Sequence, residues 1–168
     1  PPDSEGIRTL LADSVHYVVQ DQARGSGHAL LAAKDVASQY EQITVLYADV
    51  PLLRSETVEA LKRTHMHQNA AVTVLTFKPE EIRGLGRVVR DDDGNMVRIV
   101  EEAEVDNATK AADEANTGVY CFNGTWLWEN LEAALVSKQE SIPADTEQQV
   151  RNAWNRRDPN DEVWLIPW

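Results

Sequence analysis

Runs of apolar, β-branched residues alternate with stretches of helical period along this chain, and the alternation predicts an α/β domain. Residues 1–6 are a polar, proline-led entry, Ile7 to Ala12 reads as the end of a helix, and Val15 to Val19 reads as a strand. Ala29, Ala33, Val36 and Ala37 recur at helical spacing and give a narrow apolar face suited to lying on a sheet. The run Ile43-Thr44-Val45-Leu46-Tyr47 predicts a strand buried on both faces. Ser55 is a good N-cap for a helix ending near Asn69, with Val58, Leu61 and His65 on one face, and Ala71 to Phe77 is another strand. Loop, helix, strand, helix, strand in this order predicts a parallel sheet with right-handed crossovers.

The pattern then changes. Gly84-Leu85-Gly86-Arg87 opens a short strand, Asp91-Asp92-Asp93-Gly94 is a turn, and Met96 to Glu102 alternates back, which predicts an inserted β-hairpin. Glu101 and Glu102 face opposite ways, so one at most points into a given pocket. Residues 103–115 are polar, Val119 to Phe122 reads as a strand, and Thr125 to Leu135 as an amphipathic helix.

Two loops carry the candidate chemistry. Gln20 to Ala29 runs into a helix through Gly25-Ser26-Gly27, where glycines permit close backbone approach and a serine supplies a hydroxyl; such a loop wraps a base or a phosphate, or simply turns the chain. Asp49 ends its strand two residues before Pro51, which cannot extend a sheet, so the carboxylate sits at the strand's C-terminal edge. There it either caps a turn or holds a divalent cation against a phosphate.

The chain has 168 residues, of which 42% are hydrophobic, enough for one well-cored domain. A net charge of -12 argues against a nucleic-acid partner, although it leaves a small nucleotide site open. No apolar run approaches a membrane span and no charged-then-apolar leader opens the sequence, so the expectation is a cytoplasmic protein without a membrane partner. The lone Cys121 lies in an apolar run and reads as a buried, inert thiol, while His65 and His67 are wrongly spaced on a helix to share a metal.

Taken in order, Gln20 with Gly25-Ser26-Gly27-His28-Ala29, Leu46-Tyr47-Ala48-Asp49-Val50-Pro51-Leu52, Gly84-Leu85-Gly86-Arg87-Val88, Ile99-Val100-Glu101-Glu102 and Asn116-Thr117-Gly118 resemble the sugar-1-phosphate nucleotidyltransferases. The likeness is greatest to the uridyltransferase half of bacterial bifunctional N-acetylglucosamine-1-phosphate uridyltransferase/glucosamine-1-phosphate acetyltransferases. The resemblance spans about Val15 to Leu135 and implies a Rossmann-like, mostly parallel sheet with helices on both faces. It implies a domain over residues 1–135 that joins UTP and N-acetylglucosamine 1-phosphate into UDP-N-acetylglucosamine and pyrophosphate. Gln20, Gly25 and Ser26 would hold the uracil edge, Tyr47 and Ala48 would line the nucleotide, and Asp49 would ligate Mg²⁺. Gly86, Glu101 and Asn116 would hold the sugar. Two other readings stay open: a related transferase for another sugar or base, and a non-catalytic nucleotide-binding α/β module.

The sequence departs from the pattern in places. Ser26 stands for a usual threonine, Ala48 for a glycine, Leu85 for a tyrosine, and Ala103 for a lysine found in many members. The N-terminal Leu-Ala-Ala-Gly-x-Gly-Thr-Arg-Met phosphate loop is not in the sequence, so this chain alone is expected to be inactive, and no hexapeptide repeat supports an acetyltransferase domain. Homo-oligomerisation of the full-length protein is left open. Residues 136–168, with Trp154, Trp164 and Trp168, read either as a divergent C-terminal helix or as a tail translated out of frame. Codons for Gln139-Glu140-Ser141-Ile142 can be read in a shifted frame as the family's Gly-Glu-Tyr.

Overall fold

A ten-residue strand near the end of the described chain organises the sheet. The computed structural model describes residues 5–20, 24–48, 50, 52–82 and 84–137, so the tryptophans of the C-terminal tail and Asp49 lie outside the described residues. In chain order the elements are α1 (Glu5–Leu11), a 3-10 turn (Ala12–Ser14), α2 (Ser26–Ala32), α3 (Lys34–Ala37), β1 (Gln42–Val45) and α4 (Ser55–Gln68). Then follow β2 (Val72–Phe77), β3 (Arg87–Arg90), β4 (Met96–Val100), a 3-10 turn (Glu102–Glu104), β5 (Glu114–Asn123) and α5 (Gly124–Ser137). Among the described residues no helix is long and apolar enough to cross a membrane.

The sheet is α/β in class, but every strand pair is antiparallel, which corrects the expectation of a mostly parallel sheet. The reason lies in β5. It pairs antiparallel with β1 on one edge, through Val45 and Tyr120, and with β2 on the other, through Val74 and Tyr120. Strands β1 and β2 therefore point the same way, as a βαβ unit requires, yet they stand one strand apart with β5 between them. The hairpin β3–β4 joins the same edge of β5 as β1, further towards its N-terminus, through Arg87 and Ala115.

Helices cover both faces, as expected. On one face Ile43, Val72, Val74, Tyr120 and Phe122 pack with Leu127 and Trp128 of α5 and with Leu30 of α2. On the other, Val119 and Cys121 pack against Leu61 of α4. Cys121 is fully buried, and burial pushes its thiol above the usual range, consistent with an inert side chain. Helix α4 ends in a left-handed Asn69 (φ 47°), a common stop. Its N-cap is Arg54 in an extended conformation, so Ser55 is the first helical residue and not the cap. Asn123 Oδ1 accepts the Trp126 N–H at 2.9 Å and starts α5 as an N-cap would.

Two apolar runs behave differently from the sequence reading. Val15 to Val19 forms no strand, and Val18 and Val19 are exposed. Strand β1 stops at Val45, and of its run only Ile43 is buried, because β1 is an edge strand among the described elements and has no second neighbour. Leu46 and Tyr47 have already left the sheet.

His65 is 3% exposed and shares a 2.8 Å hydrogen bond with Thr73 Oγ1 beneath α4. Burial lowers its pKa from 6.5 to about 4. The unfolded chain therefore takes up this proton at higher pH than the folded one, so the His65 contribution is fully present above about pH 6.5 and is lost as pH falls towards 4. Urea unfolding at pH 7.5 and pH 5 should show about 2 kcal/mol more acid destabilisation in the wild type than in His65→Gln. Equal losses in the two proteins would remove His65 as the cause.

Candidate active site

Residues 117–119 of β5 have no strand beside them on the β1 edge: β1 pairs as far as Tyr120, and β3 begins pairing at Ala115. The same stretch slips against β2, where Leu75 faces Val119 but the next residue, Thr76, faces Asn116. Thr117 and Gly118 are thus extra residues in β5, a bulge that redirects the strand. Thr117 Oγ1 closes it by donating to Leu75 O at 2.6 Å and accepting from Val119 N at 3.1 Å. Gly118 makes it feasible, with φ at +75°. A cleft of about 520 Å³ opens at this break.

One wall is the α2 loop. Gly25 takes φ 97° and ψ 174°, a conformation suited to glycine, and presents Ser26 at the first turn of α2. Gln20 Nε2 donates to Gly25 O at 3.2 Å, and Ala29 N donates to the same carbonyl at 3.2 Å. Another wall is the base of the hairpin. Arg87 pairs with Val100, which sets Gly86 beside Glu101; a Cβ on Gly86 would lie 2.9 Å from Ile99 Cγ2 and 3.7 Å from Glu101 Oε2. The distance to the carboxylate is an ordinary contact, whereas the Ile99 side chain would have to shift to admit a methyl there. Gly86 O also accepts the Asn116 N–H at 2.9 Å, which pins the hairpin to the bulge. The ring of Tyr47 lies directly over Gly118, where a Cβ would overlap it.

Gly25, Ser26, Tyr47, Gly86, Glu101 and Asn116 all line the cleft, so the structure brings these residues of separate motifs together. Gln20 is not in the lining; it acts on the cleft through the Gly25 carbonyl. Ala48 follows Tyr47 outside the lining. Among the described residues the non-glycine positions with positive φ are Ala12 and Asn69, so alanine replaces the usual glycine at 48 without left-handed strain. Asp49 lies outside the described residues, but Tyr47 and Val50 on either side of it both line the cleft. Among the described residues no three His, Cys, Asp or Glu side chains cluster as metal ligands. Glu101, not Glu102, lines the cleft; β4 already ends at Val100 and Glu102 opens a 3-10 turn, so the strand alternation expected for the pair does not reach them.

Sequence reasoning missed Thr117, Gly118, Tyr120 and Trp126 as parts of this cleft. A signal existed for the first two, since a glycine within a strand pattern marks a bulge. For Tyr120 and Trp126 there was none, because aromatic residues at these spacings look like core.

Chemically, the cleft offers backbone groups at Gly25 and Gly86, a hydroxyl, a carboxylate and an amide around a largely apolar floor. This is the composition of a small-molecule site, mostly apolar with a few placed polar groups. The chain is 39% identical over 129 residues to the bifunctional protein GlmU of Pseudothermotoga lettingae, covering 77% of this chain and 29% of that protein. It is 40% identical over 126 residues to the bifunctional protein GlmU of Fervidobacterium nodosum, covering 75% and 27%, and 42% identical over 118 residues to that of Anaeromyxobacter dehalogenans, covering 70% and 24%. The chain spans less than a third of the length of these curated relatives. Because the family described as nucleotidyl transferase matches it from residue 5 to residue 165, the chain belongs to the nucleotidyl transferase family.

Proposed function

We propose that this chain carries the base-binding and sugar-binding walls of a uridyltransferase site that joins UTP and N-acetylglucosamine 1-phosphate into UDP-N-acetylglucosamine and pyrophosphate. The observation that carries this reading is the cleft itself, which brings the Gly25–Ser26 loop together with Gly86, Glu101 and Asn116. The loop offers backbone groups and a hydroxyl to the edge of uracil; the hairpin wall offers a carboxylate and an amide to sugar hydroxyls and an N-acetyl group. Membership of the nucleotidyl transferase family supports the reaction class, and the choice of base and sugar rests on the resemblance of the Gly25-Ser26-Gly27, Gly84-Leu85-Gly86 and Asn116-Thr117-Gly118 motifs.

In the reaction, a phosphate oxygen of the sugar phosphate attacks the α-phosphorus of UTP in line, and the bond to the departing pyrophosphate breaks. The two walls contribute by holding both reactants in that alignment. Asp49, which lies between the cleft residues Tyr47 and Val50 in the sequence, would hold Mg²⁺, which takes one or two carboxylates plus phosphate and water oxygens and offsets phosphate charge.

Calorimetry of the chain with UDP-N-acetylglucosamine, UTP and dTDP-glucose, with and without Mg²⁺, tests this reading. UDP-N-acetylglucosamine is expected to bind more tightly than dTDP-glucose, and Mg²⁺ to strengthen UTP binding. Asp49→Asn should abolish the Mg²⁺ effect while circular dichroism shows the fold intact. Equal affinity for the two sugar nucleotides, or none, would overturn the assignment of base and sugar, and an unchanged Mg²⁺ effect would overturn that of Asp49.

A further inference from the structure

The Asn116 amide is held at both ends. Gly118 N, which can only donate, donates to Asn116 Oδ1 at 3.0 Å and so decides which end of the amide is oxygen. The nitrogen end, Nδ2, then donates to Tyr120 Oη at 2.8 Å. Tyr120 is a rigid partner: it is 6% exposed, pairs with Val45 on one side and Val74 on the other, and packs against Phe122 with ring centroids 5.7 Å apart. Both Asn116 and Tyr120 line the cleft.

We infer that Tyr120 is a positioning residue that fixes the Asn116 amide for the sugar end of the ligand and so contributes to sugar specificity. This rests on the reading that Asn116 faces the sugar. An amide has two N–H donors and an oxygen with two acceptor positions. With one of each engaged by Tyr120 and Gly118, one N–H and one acceptor position stay in a set direction for a hydroxyl or an N-acetyl group. Without the phenol oxygen, Gly118 alone would hold the amide, and its free N–H would lose that direction.

Tyr120→Phe keeps the ring and removes only the oxygen. Affinity for UDP-N-acetylglucosamine is expected to fall about tenfold while affinity for UTP stays within error and the thermal midpoint falls only by what one lost hydrogen bond costs, a split between ligands that a purely structural role does not produce. In ¹⁵N-resolved NMR of the ligand-free chain, the Asn116 side-chain protons should exchange with water faster in Tyr120→Phe than in the wild type. Parallel losses for both ligands, or unchanged sugar-nucleotide affinity, would overturn the inference, as would unaltered Asn116 exchange. A wild-type chain that does not distinguish sugar nucleotides would instead sink the uridyltransferase reading, and the exchange measurement would still decide whether Tyr120 fixes the amide.

Discussion

Gly118→Ala is expected to destabilise the chain by about 2–4 kcal/mol and to weaken nucleotide binding by at least about tenfold. Two effects act at one atom. Gly118 has φ +75°, where an L side chain costs about 1 kcal/mol or more. The added Cβ would also overlap Cδ2 and Cε2 of the Tyr47 ring. Because Tyr47 is 39% exposed, the ring can swing away from the bulge, and the change then reads out as loss of a cleft wall more than as global unfolding. Thermal unfolding and nucleotide titration of Gly118→Ala, Tyr47→Ala and the double variant separate the two effects. Removing the ring makes room for the methyl, so the double variant should be less destabilised than the sum of the single ones, by the overlap part, and retain the backbone part. Strict additivity would mean that Tyr47 does not sit on Gly118 in solution.

The helix α4, the strand β2 and the hairpin were legible because each is specified locally. Leu61 and His65 fall on one helical face and are both buried, and the Asp91-Asp92-Asp93-Gly94 turn forms around Gly94 at φ +78°. Asp91 Oδ1 there accepts from Asp93 N at 3.1 Å and Asn95 N at 2.8 Å, bonds a short aspartate at a turn is built to make. Strand partners were not legible. The apolar runs at Ile43 and Val72 mark strands, but nothing in either run tells that β5, from forty residues or more further on, will separate them. Val15 to Val19 shows the same limit, since an apolar run is a strand only where another strand meets it. The lining of the candidate cleft was more legible than the sheet. Gly25, Gly86 and Asn116 stand out by backbone freedom or a specific polar group, properties written in the residue type, whereas Tyr120 meets Asn116 four residues away only because the bulge brings them within reach.

Glu114→Leu is expected to cost about 3–5 kcal/mol, the loss typical of removing one member of a largely buried ion pair. Glu114 is the residue where β5 begins, and it accepts from both Nε and a terminal nitrogen of Arg90, each at 2.6 Å. Arg90 also donates to Gly94 O at 3.1 Å, so one guanidinium ties the hairpin turn to the central strand. The side chains are 7% and 19% exposed for Glu114 and Arg90, too little for water to replace the lost carboxylate readily. The double variant Arg90→Met with Glu114→Leu removes both charges and fills the same space with apolar atoms. It is expected to recover most of the stability, since two desolvated charges attract each other little more strongly than it costs to bury them. Denaturant unfolding of the wild type, both single variants and the double variant measures the coupling. The hairpin carries Gly86 and Glu101 at its base, so the same series should show sugar-nucleotide affinity falling in Glu114→Leu and returning in the double variant. If stability returned in the double variant but affinity did not, the guanidinium–carboxylate pair would be needed for the geometry of the cleft wall and not only for its attachment to the sheet.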